Sequence, residues 1–68
     1  MKEAALRKFV GQYVRVHFTA SSMKASPFIE LAYDEHFGTF MFQSGKDGVE
    51  YHFTCESVRG ISVEATDA

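Results

Sequence analysis

Apolar and polar positions follow two different periods along this chain, and the change between them falls at Gly11. Before it, Leu6, Phe9 and Val10 recur at i, i+3 and i+4 among Glu3, Ala4, Ala5 and Lys8, residues that favour helix. This spacing predicts a short helix over residues 2–10. Glu3 lies near its positive start, and Arg7 and Lys8 near its negative end. Gly11 offers the left-handed stop. So short a helix does not persist alone and must dock its apolar stripe.

From Tyr13 the period becomes two. Val14, Val16 and Phe18 face one way and Tyr13, Arg15 and His17 the other, which predicts a half-buried strand over 13–18. Residues 19–26 carry no period and are small and polar, so they read as a loop, with Met23 and Lys24 at its middle available for a contact. Pro27 opens a second strand over 28–34, with Ile29, Leu31 and Tyr33 opposite Phe28, Glu30 and Ala32. A third strand covers 39–43, with Phe40 and Phe42 on one face and Met41 on the other. Gly45-Lys46-Asp47-Gly48 is a turn, its glycines suited to positive φ. The fourth strand, 49–54, points Val49, Tyr51 and Phe53 inward and Glu50, His52 and Thr54 outward. A tight link, Cys55-Glu56-Ser57, leads to a fifth strand over 58–64 and a frayed tail over 65–68.

One helix and five short strands joined mostly by tight turns make a mainly β single domain over residues 1–68. Five strongly bent antiparallel strands lose most of their exposed edge by closing on themselves, and the helix can cap the open end. The expected architecture is a small, partly open five-stranded antiparallel barrel.

Composition sharpens this in three ways. A 68-residue chain buries only about 60% of its unfolded surface, so a partner subunit is a common remedy. Seven phenylalanines without a tryptophan exceed what one thin core readily hides, which points to self-association. A formal charge of −2 opposes coating nucleic acid by bulk electrostatics, while leaving room for a few base contacts in a small pocket. The single cysteine, Cys55, makes no internal disulfide and fits a reducing, cytoplasmic compartment. Met1 to Ala5 leads into charged residues, unlike a secretory leader, and no run approaches the roughly 18 apolar residues of a membrane span. A soluble protein without a membrane partner is expected.

Catalytic chemistry finds little footing. No paired carboxylates, phosphate-binding glycine loop or hydrolase elbow stands in the chain. Cys55 has no evident activating base, and His17, His36 and His52 lack the paired spacing of zinc ligands. Neither enzymatic activity nor a metal or other cofactor is expected.

The most unusual stretch is Tyr33-Asp34-Glu35-His36-Phe37-Gly38-Thr39-Phe40-Met41-Phe42, where an aspartate and a histidine flank a polar link between two apolar strands. Together with the helix-then-five-strands layout, it resembles the Sm-like family (Sm, LSm and bacterial Hfq proteins) over residues 3–64. In the family's first motif, Tyr33 fits the apolar position, Asp34 the aspartate, His36 the base-stacking position and Phe37 the apolar residue after it. Gly38 stands where the family has the asparagine that grips the base, and Phe28 and Glu30 replace an earlier glycine and leucine. The family's apolar-Arg-Gly second motif falls at Phe53-Thr54-Cys55; Val58-Arg59-Gly60 matches its letters some five residues later, inside the fifth strand. The resemblance implies an SH3-like barrel and homo-oligomeric rings of five to eight subunits that join the fourth strand of one to the fifth of the next. It also implies binding of single-stranded RNA on the ring face, with DNA as the other candidate.

Each of these residues has a plainer role beside the functional one. His36 can stack on an unpaired base or be a solvated turn residue, and Phe37 can stack likewise or fill the core at a strand bend. Asp34 can orient a neighbour or cap the turn through its own backbone. Thr54 and Cys55 can hydrogen-bond a base edge but lack an arginine's charge, and Glu56 would repel phosphate. Arg7 and Lys8 are solvated surface charge unless the helices line one ring face, where they would repeat as a basic collar. Two functions from different classes follow: a non-catalytic RNA-binding ring, or an SH3-like protein-interaction module indifferent to nucleic acid.

Overall fold

The computed structural model describes residues 1–20, 24–45 and 47–63. Among them are one short helix, α1 (Glu3–Arg7), and six strands: β1 (Tyr13–Phe18), β2 (Ile29–Glu30), β3 (Ala32–Asp34), β4 (Thr39–Gln43), β5 (Glu50–Phe53) and β6 (Val58–Val63). The strands form two three-stranded antiparallel sheets, ordered β2-β1-β6 and β3-β4-β5. A mainly β fold with an N-terminal helix is therefore correct, but the strands divide into two sheets.

The extra strand arises at Leu31. Its N–H donates to the Gln12 carbonyl (3.1 Å) and its carbonyl accepts the Gly11 N–H (2.8 Å). Backbone groups that would continue one ladder are thus spent on the link between α1 and β1, and the expected 28–34 strand bends there. Glu30 and Ile29 pair with Tyr13 and Val14, while Ala32, Tyr33 and Asp34 pair with Met41, Phe40 and Thr39. The alternation survives the bend: Ile29 and Leu31 are buried and Tyr33 is half-buried.

The helix is shorter than the expected 2–10. After Arg7 the chain tightens into three-residue turns, with the N–H groups of Phe9, Val10 and Gln12 donating to the carbonyls of Leu6, Arg7 and Phe9. Gly11 ends them at φ +88. Leu6 is buried and Phe9 packs on the core, but the tightened turns leave Val10 exposed.

Leu6, Val14, Val16, Ile29, Leu31, Phe40, Phe42 and Val58 form the core, contributed by both sheets and the helix. Phe18 and Phe53 join the sheets edge to face at 5.5 Å. At the end of the 19–26 loop, Ser26 is buried and bonded to Val16 through backbone and hydroxyl (2.9 and 2.8 Å), adding a rung beyond β2. Lys24 is exposed, whereas the middle of that loop at Met23, the turn position Lys46, Glu64 at the end of the expected last strand and the tail lie outside the described residues.

The fourth expected strand differs most. It runs Glu50–Phe53, and a 3-10 turn, Cys55–Ser57, follows. Val49 and Tyr51 do not turn into the core: they are 47% and 46% exposed. β5 is the outer strand of its sheet: Phe53 meets Phe18 and Phe40 and packs against the core, whereas Tyr51, nearer the free end of the hairpin, stacks on Phe42 at 5.2 Å and stays half-exposed. Val63 on β6, the outer strand of the other sheet, is 55% exposed.

Candidate nucleic-acid interface

The link from β3 to β4 is a turn built by Asp34. Its Oδ1 accepts the backbone N–H of His36 (2.9 Å) and of Phe37 (3.2 Å), and its carbonyl accepts the Gly38 N–H (2.8 Å). A short carboxylate that reaches its own backbone two and three residues on stabilises such a turn. Gly38 completes it at φ +68, a conformation in which a Cβ is strained. With the turn closed this way, Phe37 has no path into the core and stands 70% exposed. The alternative of a core phenylalanine at a strand bend is thereby excluded.

Three side chains gather around that ring. His36 meets it edge to face at 4.8 Å, and His52 does so at 6.2 Å. Phe37, Thr39 and His52 line an open cleft of about 460 Å³. Thr39 Oγ1 lies 3.0 Å from His52 Nδ1, and His52 Nε2 lies 3.4 Å from Glu50 Oε2. One neutral tautomer satisfies both contacts: the Thr39 hydroxyl donates to Nδ1, and Nε2–H donates to the carboxylate. The His52 ring is thus held on two sides at the cleft wall.

The other candidates are distributed unevenly. Phe40 pairs with Phe53, so the register brings the exposed Thr54 to the end of the sheet where the Asp34 turn lies. Cys55 is half-buried and packs against the core. Arg7 lies over the Tyr33 ring at 4.1 Å and pairs with Glu3 at 3.6 Å, while Lys8 is exposed. Arg59 is exposed on β6 and Val58 beside it is buried. His17 sits apart from the cleft, bonded to Ser62 at 2.7 Å.

His52, Thr39 and Glu50 escape a reading of the sequence as site residues. Alternation puts Thr39 and His52 on the outward faces of their strands, but only the hairpin register, with Met41 opposite His52 and Gln43 opposite Glu50, makes them neighbours. A second cleft of about 290 Å³, lined by Phe18, Lys24, Ser26, Phe42, Tyr51, His52 and Phe53, opens beside β5. Among the described residues no helix is long and apolar enough to cross a membrane. Compared with protein-family models, curated proteins and solved structures, the chain matches none.

Proposed function

We propose that this chain is a non-catalytic, cytoplasmic nucleic-acid-binding protein of Sm-like type, a homo-oligomeric ring that takes single-stranded RNA in RNA processing or metabolism. One observation carries the reading: Phe37 is held out of the core by Asp34 and stands beside an open cleft walled by Thr39 and His52. An exposed ring flanked by hydrogen-bonding groups suits an unpaired base, and such stacking contributes about 1–3 kcal/mol per base. Repetition around a ring would bring several such clefts onto one strand and raise avidity without new contacts. The outer strands β5 and β6, whose edges no strand pairs among the described residues, and the exposed Val49, Tyr51 and Val63 on or beside them, support the assembly, because unpaired edges with apolar side chains invite pairing with another copy.

The test is a titration of short uridine and adenine oligomers at low ionic strength. Binding that weakens by roughly 5- to 150-fold in Phe37→Ala, the equivalent of one stacked base, and also weakens in His36→Ala supports the reading. No binding, or binding indifferent to both substitutions, overturns it. One feature favours the other class of function, an SH3-like module gripping a protein: among the described residues no lysine or arginine lines the Phe37 cleft. A monomer in solution that ignores nucleic acid would decide for that module.

A further inference from the structure

The outer face of the sheet β2-β1-β6 carries a second set of aromatic and cationic side chains. Val14 and Val16 take the buried side of β1, so Tyr13, Arg15 and His17 take the other. The Tyr13 and Phe28 rings stack at 6.0 Å with 19° between their planes, and the Arg15 guanidinium lies over Phe28, 4.6 Å from its centre. Neither ring belongs to the core, and Tyr13 is 53% exposed. Beside them His17 and Ser62 are hydrogen-bonded at 2.7 Å, and Arg59 is exposed where the register between β1 and β6 shifts.

This face has the cations that the Phe37 cleft lacks. Among the described residues neither Arg15 nor Arg59 pairs with a carboxylate, and Glu30, across from Tyr13, is the acid on the face. An aromatic ring holds a guanidinium by its charge and accepts none of its N–H groups in a hydrogen bond, so Arg15 is fixed in place with donors left for a phosphate. Tyr13 and Arg15 stand two residues apart on one side of β1, about 7 Å along the strand. A base stacked on Tyr13 therefore has its own phosphate within reach of Arg15. An acidic peptide would engage the arginines and leave Tyr13 unused, whereas a single-stranded nucleic acid engages both kinds of group. We infer that the outer face of β1 is a second single-strand binding surface, with a base on Tyr13 and a phosphate on Arg15. The inference rests on the nucleic-acid reading but not on Phe37.

The experiment uses the full chain and a fluorescein-labelled oligomer of twelve uridines, titrated by anisotropy over a range of salt concentrations. Tyr13→Leu keeps an apolar strand residue but removes the ring, and should weaken binding by roughly 5- to 150-fold, the equivalent of one stacked base. Tyr13→Phe keeps the ring and should bind within about twofold of the parent, which ties the loss to stacking. Arg15→Gln should make the salt slope shallower by about 0.7, one phosphate contact on a single strand. Circular-dichroism melts establish that each variant is folded. Unchanged affinity in Tyr13→Leu, or an unchanged slope in Arg15→Gln, overturns the inference; binding still lost in Phe37→Ala then leaves the cleft standing as the RNA site. A ten-residue polyglutamate that binds as tightly as the oligomer and is indifferent to Tyr13→Leu overturns it too, in favour of an acidic protein partner. Binding weakened by Tyr13→Leu and untouched by Phe37→Ala upholds this face and refutes the cleft. If no oligomer binds, the inference and the nucleic-acid reading fall together.

Discussion

The Asp34 carboxylate accepts the Phe37 backbone N–H at 3.2 Å, and the same oxygen accepts that of His36 at 2.9 Å. One side chain therefore sets the position of both rings of the candidate site. Asp34→Ala removes both bonds and should cost about 0.5–2 kcal/mol, by analogy with the loss of a helix-capping carboxylate that satisfies the same kind of backbone donor. Urea unfolding checks this. The same variant should weaken RNA binding although Asp34 touches no base, because Phe37 is no longer presented in one position. Asp34→Asn keeps an acceptor oxygen and should recover most of the stability. Equal losses from both variants would show that charge, and not the turn, is what Asp34 supplies.

Among the described residues, β5 and β6 are each the last strand of their sheet, with an edge that no other strand pairs. If these edges pair between copies, a proline at either one removes a backbone donor and breaks the ladder. Tyr51→Pro and Ile61→Pro should each give monomers or unfolded chain, against a single species of five to eight chains expected of the proposed ring, as read by light scattering on a sizing column. Intact oligomers from both variants would refute pairing through these strands.

Much of this architecture is legible in the alternation. β1 and β4 fall at their expected limits, because Val14 and Val16, and Phe40 and Phe42, repeat at a strict period of two on the face that is buried. The bend at Leu31 is not legible, since alternation records which face a residue takes and not which strand it pairs with. The outward exposure of Val49 and Tyr51 is hidden for a related reason: an apolar residue on an inward parity reads as core whether or not anything packs beyond it. For the site, Asp34, His36 and Phe37 stand out as a local motif, whereas His52 depends on register across a hairpin.

Asp47 offers a test by pH. Its carboxylate accepts the Val49 N–H at 3.1 Å, and this bond, with a second from the Ser44 side chain, holds its pKa below the ordinary value of 3.8. A carboxyl whose pKa is lower folded than unfolded stabilises the fold above the unfolded value, and that contribution is lost as pH falls through the folded one. Asp47→Asn should therefore be less stable than the parent at neutral pH, and the gap should narrow once the pH drops below 3.8. Thermal melts across that range give the comparison. A gap that stays constant with pH would mean that the side-chain amide and carboxylate differ in the turn for reasons other than charge.

The acidic surroundings of the cleft lead to a prediction about salt. A protein that holds RNA mainly by its phosphates releases about 0.7 counterions per contact to a single strand, so its affinity falls steeply as salt rises. Here Phe37, Thr39 and His52 line the cleft, Glu50 approaches His52 at 3.4 Å, and Arg7 beside the turn is occupied by Tyr33 and Glu3. Base stacking, which salt hardly screens, must then supply most of the binding. The logarithm of affinity against the logarithm of salt concentration should have a slope no steeper than about −1.5 per chain, the equivalent of about two phosphate contacts. Phe37→Ala should lower the whole line without changing its slope. Arg7→Ala together with Lys8→Ala should flatten it if the helices form a basic collar around a ring. A steep slope in the parent, untouched by Phe37→Ala, would move the binding surface away from the Asp34 turn to the exposed cations elsewhere on the chain.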